Sequence, residues 1–568
     1  MKKILADHWI AIVLSIFVGA ICIAPQIIVL NDTSYRGIQM FGADAEYDYV
    51  AKINQAKYED YSAGPFPADS GKNYYLAPMM AERIMALFGS IFGISAISVN
   101  VLAKFIIPAC LFLLLYVFIL EMFASRSVAL TAPLFIILGS NLLDFKEIIN
   151  FFSLKTDIST FLPYTRPISP QFSSLFMFVC LLATYRFVKK ETDVRFSVLL
   201  GLISGLSLYI YIYTWSFVLV FMAIYGLHFL MNRDWRKLKL MVLAILVNVA
   251  TTIPFFINLL KARVDADYID TAVRIGLETT HAPIIGLLII AGFCALLFLW
   301  PKDYLGDIKR YLLYVFTSIA IVLNQQIITG IKLQPGHFHW YIMKPFLIIV
   351  LVFLLFYYIN KITRGSGVKI MTIFVAAVIV LSAVIVQANS FSSNYDVFIK
   401  DQEFAPIISY LNSNYKEKKT IWAEQRLSTL ILAYTKHHAP DNIHSPYYTN
   451  GLPHLKNMLF LENRISKIGA NHIDNFSING WNNYIVGRIF GIDSSKQYFD
   501  EKIIASELNE LSSEYNKFKS VPLNDAIKNL KIDLLVVKKN QLLIDPSRFS
   551  FLVKDGEIGQ FLVYRSND

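Results

Sequence analysis

The chain is poor in charge and poorer still in cysteine. Only 17% of its 568 residues are Asp, Glu, Lys or Arg, against roughly 25% in soluble domains. A wholly soluble globular protein is therefore excluded. The four cysteines, Cys22, Cys110, Cys180 and Cys294, each lie inside an apolar run. That rules out a disulfide framework and any CxxC metal site, so a domain outside the cytoplasm would have to fold without covalent staples. No long-period repeat and no low-complexity linker is visible, which excludes a solenoid or propeller array. What the chain does have is apolar length: 55% of its residues are hydrophobic and the mean hydropathy is +0.49. Most of it must sit in lipid. The net charge of +10 is accordingly not a sign of nucleic-acid binding, but of basic loops beside a membrane.

The N-terminus reads Met1-Lys2-Lys3, followed by an apolar run from His8 to Leu30 that is too long for a signal-peptide core and lacks an A-x-A site after it. It reads as an uncleaved first span. Apolar runs of about 20 residues, the length that crosses a bilayer core of about 30 Å, recur near 8–30, 95–124, 127–143, 171–188, 196–213, 214–231, 238–260, 283–300, 310–330, 341–360 and 368–390, about eleven in all. With the N-terminus cytoplasmic, every inner segment is basic: Lys2 and Lys3; Arg126; Arg186, Lys189, Lys190 and Arg195; Arg233, Arg236, Lys237 and Lys239; Lys302, Lys309 and Arg310; Lys361, Arg364 and Lys369. This is the positive-inside pattern. An odd number of spans then places everything after Gln387 outside.

Polar, titratable and aromatic residues gather in the outer loops, 31–94, 144–170, 261–283 and 331–341. The first holds the acidic stretch Asp44-Ala45-Glu46-Tyr47-Asp48-Tyr49 and an amphipathic segment near 77–88. The second has the mixed aromatic and charged pattern of a helix lying in the interface plane. Residues 391–568 contain no spanning run; strand-like pieces at 420–423, 532–537 and 561–564 alternate with helical stretches at 428–435 and 505–518. The expected architecture is a multi-span α-helical membrane domain over 1–390 and a C-terminal extracytoplasmic α/β or α+β domain over 391–568.

If the acidic stretch is helical, Asp44 and Asp48 share a face and Glu46 points roughly the other way. Two acids on one face at a membrane surface suit a general base or a divalent cation such as Mg or Mn, with Asp44 and Asp48 as the ligands. The plainer alternative is a solvated acidic turn with Asp44 as N-cap. Arg166, Arg274, Lys332, His337, His339 and Lys344 are the outer-face donors available to a lipid-phosphate headgroup, unless they are ordinary interface anchors. Arg166 stands between turn residues in Thr165-Arg166-Pro167-Ile168-Ser169-Pro170, where two prolines fix the backbone. His337 and His339 fall on one face of an extended segment and suit phosphate or sugar better than zinc, since the loop offers no third ligand. Trp340 and Tyr341 fit sugar contact or an aromatic belt. No site is assigned in the C-terminal domain.

One basic N-terminus, one span, and a long outer loop carrying Gly42-Ala43-Asp44-Ala45-Glu46-Tyr47-Asp48-Tyr49-Val50-Ala51-Lys52-Ile53 together resemble the GT-C class of integral-membrane glycosyltransferases. The Arg166–Pro170 turn, the His337–Tyr341 loop and the C-terminal domain resemble elements of the same class. The resemblance implies transfer of a sugar from a polyprenyl-phosphate carrier to an acceptor hydroxyl on a glycan, lipid or protein at the outer face. The first-loop acid would serve as base: Asp44 best matches that position, with Glu46 and Asp48 for acceptor orientation or metal binding. This sequence offers three acids where two are expected. The implied partners are the lipid-linked donor, the acceptor and membrane lipids, without nucleic acid; the low cysteine count and the basic inner loops suit a bacterial inner membrane, with the C-terminal domain periplasmic or extracellular. The alternatives are a polysaccharide polymerase or ligase using the same carriers, a transporter of lipid-linked glycans, and a non-catalytic scaffold. A transporter would want ionisable groups or broken helices at mid-membrane, where Asn248 and Asn324-Gln325-Gln326 are polar but uncharged.

Overall fold

The computed structural model describes residues 2–41, 44–58, 74–75, 78–143, 149, 160–190, 193–275, 277–302, 304, 306–443, 445, 451–466, 483–490, 501–545 and 550–566; for residues 2–6, 44–45, 269, 273, 278, 483–484, 490, 501–505 and 507–508 it describes the backbone alone. Among these residues, eight helices are long and apolar enough to cross a membrane, and three shorter apolar helices, Arg126–Leu138, Val194–Tyr209 and Leu287–Leu299, stand at the remaining predicted runs. The chain is an integral membrane protein.

The first elements are α1 (Lys2–Leu30), α2 (Asp44–Ala56), α3 (Met80–Phe92) and α4 (Ala96–Phe123). Side-chain caps set the helix starts, each satisfying an amide that the first turn leaves unpaired. Ser95 accepts from Ser98 N at the head of α4 (3.1 Å), Asp193 from Phe196 N (2.8 Å) and Asp234 from Lys237 N (3.1 Å). Within the bundle, small residues let helices close up. A Cβ on Gly201 would lie 2.5 Å from the Ala244 carbonyl oxygen, and one on Gly205 2.7 Å from Thr251 Cβ. Gly201-Leu202-Ile203-Ser204-Gly205 is thus a small-xxx-small contact onto the Trp235–Ala262 helix. Beside it, Asn248 accepts from Trp215 Nε1 (3.1 Å) and donates to Ser204 Oγ (2.9 Å), which accounts for that polar residue inside the bundle. Asn324 and Gln326 bond to the backbone of Ile284 and Ala282, tying a loop rather than lining a path.

Two predicted boundaries shift. The run at 127–143 is helical only to Leu138, followed by a 3-10 turn over Ser140–Leu143. The last run, expected to end at 390, continues as one helix from Ser366 to Asp401. Of the second outer loop, residues 144–148 and 150–159 lie outside the described residues, and with them the predicted interfacial helix.

The C-terminal part holds a four-stranded sheet. Its strands are β3 (Ile421–Trp422), β4 (Leu534–Lys538), β5 (Leu552–Ile558) and β6 (Phe561–Ser566), after the short antiparallel pair β1 (Glu278–Thr279) and β2 (Ile331–Lys332). The order is β3-β4-β6-β5, with β3 parallel to β4 and the other pairs antiparallel. Alternation decides the two faces. Leu534, Val536, Phe561 and Val563 face Ile407, Leu411, Leu430 and Ile431, whereas Leu535, Val537 and Tyr564 face Met458, Leu461, Leu523 and Ile527. The first of these cores also contains Ile38, Phe41, Tyr47, Val50 and Ile53 from the first loop, and Met85, Val99 and Ala103 from α3 and α4. The first loop and the sheet domain are therefore packed as one apolar body.

Candidate functional site

The acidic stretch is helical from Asp44. Its first turn carries Asp44 and Glu46 where the helix N-terminus favours negative charge. Tyr47, Val50, Ala51, Ile53 and Asn54 form its buried stripe. Glu46 turns away from Asp48, as the periodicity predicts, and enters α4. Asn100 Nδ2 donates to its Oε1 at 2.8 Å and the Lys104 ammonium pairs with the same oxygen. Both charged side chains are under 5% exposed, so this is a buried ion pair with an added hydrogen bond. Asp48 pairs with Lys52 one turn on, at 2.6 Å. The side chain of Asp44 lies outside the described residues.

A further carboxyl lies near Asp48 and Lys52. Glu82, on the buried face of α3, is 5% exposed, and burial pushes its carboxyl up to about 6; the Lys52 ammonium pulls it back and Asp48 adds to the rise. Burial works against the Lys52 ammonium, but Asp48 and then Glu82 outweigh it and hold its pKa above the ordinary lysine value. Glu82 lies in the segment near 77–88 that the sequence marks as amphipathic, on the side away from the exposed Ile84, Leu87, Phe88 and Ile91. The opposite face, Ala81-Glu82 with Met85, Ala86 and Gly89, carries the signal: one acid among small buried residues.

Glu82 has a measurable consequence. Its folded-state pKa is above the ordinary value, so the folded protein binds that proton more tightly than the unfolded chain does. Stability is then fully present below the unfolded value and is lost as pH rises from about 4.5 to about 6. At about 1.4 kcal/mol per unit, the loss is about 2 kcal/mol. Melting of the detergent-solubilised protein between pH 4 and 7 should show this fall, and Glu82→Gln should flatten it. An equal slope in the variant would assign the effect elsewhere.

Arg166 reaches the same region from the Pro163–Thr165 turn. Thr165 Oγ1 donates to Leu162 O (2.7 Å) and Gln171 Nε2 to Tyr164 O (2.5 Å), fastening the turn on both sides. The Arg166 guanidinium donates to the Tyr341 hydroxyl and lies within electrostatic reach of Tyr49, Tyr211 and Glu46. Tyr49 itself, one residue from Asp48, is held in its neutral form by burial; Arg166 opposes this, while Tyr341, Asp48 and Glu82 add to it. The acidic helix, α3 and the arginine turn thus share one electrostatic neighbourhood.

The histidines need a correction. The segment is not extended: Pro335–Phe338 is a helical turn and His339–Met343 continues it as a π-turn into the next span. Pro335 is at the first helical position, where proline is well accommodated. Two residues apart on a helix point in nearly opposite directions. His337 stacks on Tyr213, with centroids 4.5 Å apart and planes at 9°, and its Nδ1 meets the Tyr211 hydroxyl. His339 packs against Trp340 instead. Trp340, 39% exposed, has the Lys344 ammonium 3.2 Å from its ring centroid, a cation–π contact over a fully buried lysine. Arg274 and Lys332 belong to a neighbouring piece: Lys332 is in β2 opposite Glu278, and Gln334 Nε2 ties the loop after it to Ile275 O (2.6 Å). Arg274 is 1% exposed, and burial brings its guanidinium down to about 10 against the pull of Asp270 and Asp267.

A divalent cation at Asp44 and Asp48 meets a poor fit on the described side. Asp48 already faces an ammonium, and among the described residues no three His, Cys, Asp or Glu side chains converge as ligands.

No protein-family model and no curated protein matches this sequence. Solved structures do. The arabinofuranosyltransferase AftD from Mycobacteria superposes with a TM-score of 0.50 at 12% identity, covering 100% of this chain and 40% of its own. ArnT from Cupriavidus metallidurans bound to undecaprenyl phosphate gives 0.46 at 11% identity, covering 99% of this chain and 98% of its own. The Archaeoglobus fulgidus oligosaccharyltransferase gives 0.46 at 12%, covering 94% and 69%. With the AftD likeness running along its whole length and eleven apolar helices in register with the predicted runs, this chain has the fold of the GT-C class of integral-membrane glycosyltransferases.

Proposed function

We propose that the protein moves a hexosyl or pentosyl group from a polyprenyl-phosphate carrier to an acceptor hydroxyl on a glycan, lipid or protein. The working face is the extracytoplasmic side of a bacterial inner membrane, with the N-terminus cytoplasmic. The observation that carries this reading is the meeting of unlike chemistries at one end of the bundle. Asp48 of the acidic helix and Glu82 of α3 both act on the buried Tyr49, and so does Arg166, which is paired to Tyr341. Transfer of this kind needs a base for the acceptor and cationic or hydrogen-bonding groups for the departing phosphate.

In the proposed reaction Asp44 accepts the acceptor's hydroxyl proton as its oxygen bonds to the sugar's anomeric carbon. The bond from that carbon to the phosphate oxygen breaks, and the electron pair leaves with polyprenyl phosphate. Arg166, with Tyr341 and the His337–Tyr211 pair, faces the growing phosphate charge. Glu82, whose carboxyl titrates near 6, can hold a proton close to neutral pH. Trp340 supplies a ring face for a sugar.

The test is release of polyprenyl phosphate by purified protein from a panel of polyprenyl-phosphate-linked hexoses and pentoses. Consumption of one donor is expected; consumption of none by wild type would end the transferase reading. With the active donor in hand, Arg166→Lys is expected to raise KM for the donor about tenfold, because an ammonium cannot reproduce the planar fork of a guanidinium. An unchanged KM would make Arg166 an interface anchor.

A further inference from the structure

Tyr47 stands between Glu46 and Asp48 in the acidic helix, and its partners come from the other end of the chain. It is 3% exposed, and its hydroxyl donates to Asp401 Oδ2 at 3.2 Å. Arg426, at the start of the Gln425–Tyr434 helix, donates to the Tyr47 hydroxyl and lies 4.3 Å from the centre of its ring. The same guanidinium forks onto Asp401, with Nε to Oδ1 at 2.8 Å and Nη2 to Oδ2 at 2.5 Å. Asp401 is the last residue of the long Ser366–Asp401 helix. Tyrosine, arginine and aspartate so form a closed triangle that joins the last apolar helix, the sheet domain and the acidic helix. Farther along α2, Asn54 Nδ2 donates to the carbonyls of Leu432 (2.9 Å) and Thr435 (2.6 Å) at the end of the helix that Arg426 opens.

We propose that the C-terminal domain sets the position of the acidic helix through Arg426 acting on Tyr47, so that Arg426 is a positioning residue for the transfer; this rests on the transferase reading above. The geometry favours positioning over simple burial for three reasons. The contact is directional, since a forked donor fixes both distance and angle. It falls on the residue between two carboxylates, where a shift of about 1 Å at the reacting groups lowers turnover by up to about a hundredfold. And Glu46, adjacent to Tyr47, is pinned to a different body, α4. The helix is held from two sides within two residues, which fixes its rotation about its own axis.

Two readouts test this, one independent of turnover. In Arg426→Gln, amide exchange over residues 44–56 should accelerate about tenfold while α4 and the Trp235–Ala262 helix stay unchanged, and kcat should fall about tenfold to a hundredfold with KM for the donor within about twofold. Arg426→Lys should recover part of both. Tyr47→Phe keeps the ring packing and should reproduce the kcat loss; adding Arg426→Gln to it should lower kcat little further, since both act through one hydroxyl. Unchanged exchange in Arg426→Gln overturns the proposal. So does faster exchange with unchanged kcat. A loss of KM alone, or full additivity of the two substitutions, also overturns it. Should wild type turn over no donor, the transferase reading fails on that result, and exchange alone decides whether Arg426 anchors the helix.

Discussion

Asp44→Asn is expected to lower turnover of the active donor by roughly a hundredfold to ten-thousandfold, the range for losing a general base, with the melting temperature unchanged. The expectation rests on position: Asp44 is the first residue of α2, one turn before Asp48. Asp48→Asn should cost less, about tenfold. Asp48 is already paired with Lys52, so its removal alters the field around Glu82 more than it removes a free base. If Asp48→Asn is the inactive variant and Asp44→Asn still turns over, the base is Asp48 and the class of reaction stands. If both remain active while folded, the acidic helix does no proton transfer.

Glu46→Ala should give the opposite signature, a large fall in stability. It leaves the Lys104 ammonium buried inside the packed helices without its carboxylate, and breaking one side of such a pair costs about 3–5 kcal/mol. In detergent the melting temperature should drop by several degrees, and Lys104→Met in the same chain should restore most of it. Replacing both partners of a buried pair by apolar groups is often neutral or better. A Glu46→Ala protein that melts like wild type but has lost turnover would return Glu46 to the catalytic candidates.

How far the sequence told these stories follows from the distance over which each one is written. The apolar runs were legible because lipid imposes its demand locally: about 20 apolar residues in a row, whatever they pack against. All eleven appear as helices, three of them too short to span by length alone. The reading that Glu46 points away from Asp48 was equally local, and Glu46 does turn into α4. Its partner there, Lys104, stands in α4, beyond the reach of any local pattern. The His337–His339 stretch was misread because Pro335-Gly336 looks like a loop, whereas proline also begins helices. Glu82 was hidden by its own helix, whose exposed apolar face drew attention from the one acid behind it. The Tyr47–Arg426 contact joins residues 379 apart, and no periodicity reaches that far.

That separation bears on how the protein is made. Residues 44–56 leave the ribosome well before Leu534, Val536, Phe561 and Val563, yet their apolar stripe shares a core with them. Until at least residue 563 has been synthesised, the acidic helix has no finished surface to lie against. Among the described residues, ten further apolar helices are made in that interval. Contacts of such long sequence separation are the slow ones to form. A nascent chain halted anywhere before β6 would carry a bundle of helices and an unseated acidic segment with bare apolar side chains. Membrane insertion and the seating of the acidic helix are thus separate events in the life of this protein, and the second waits for β6.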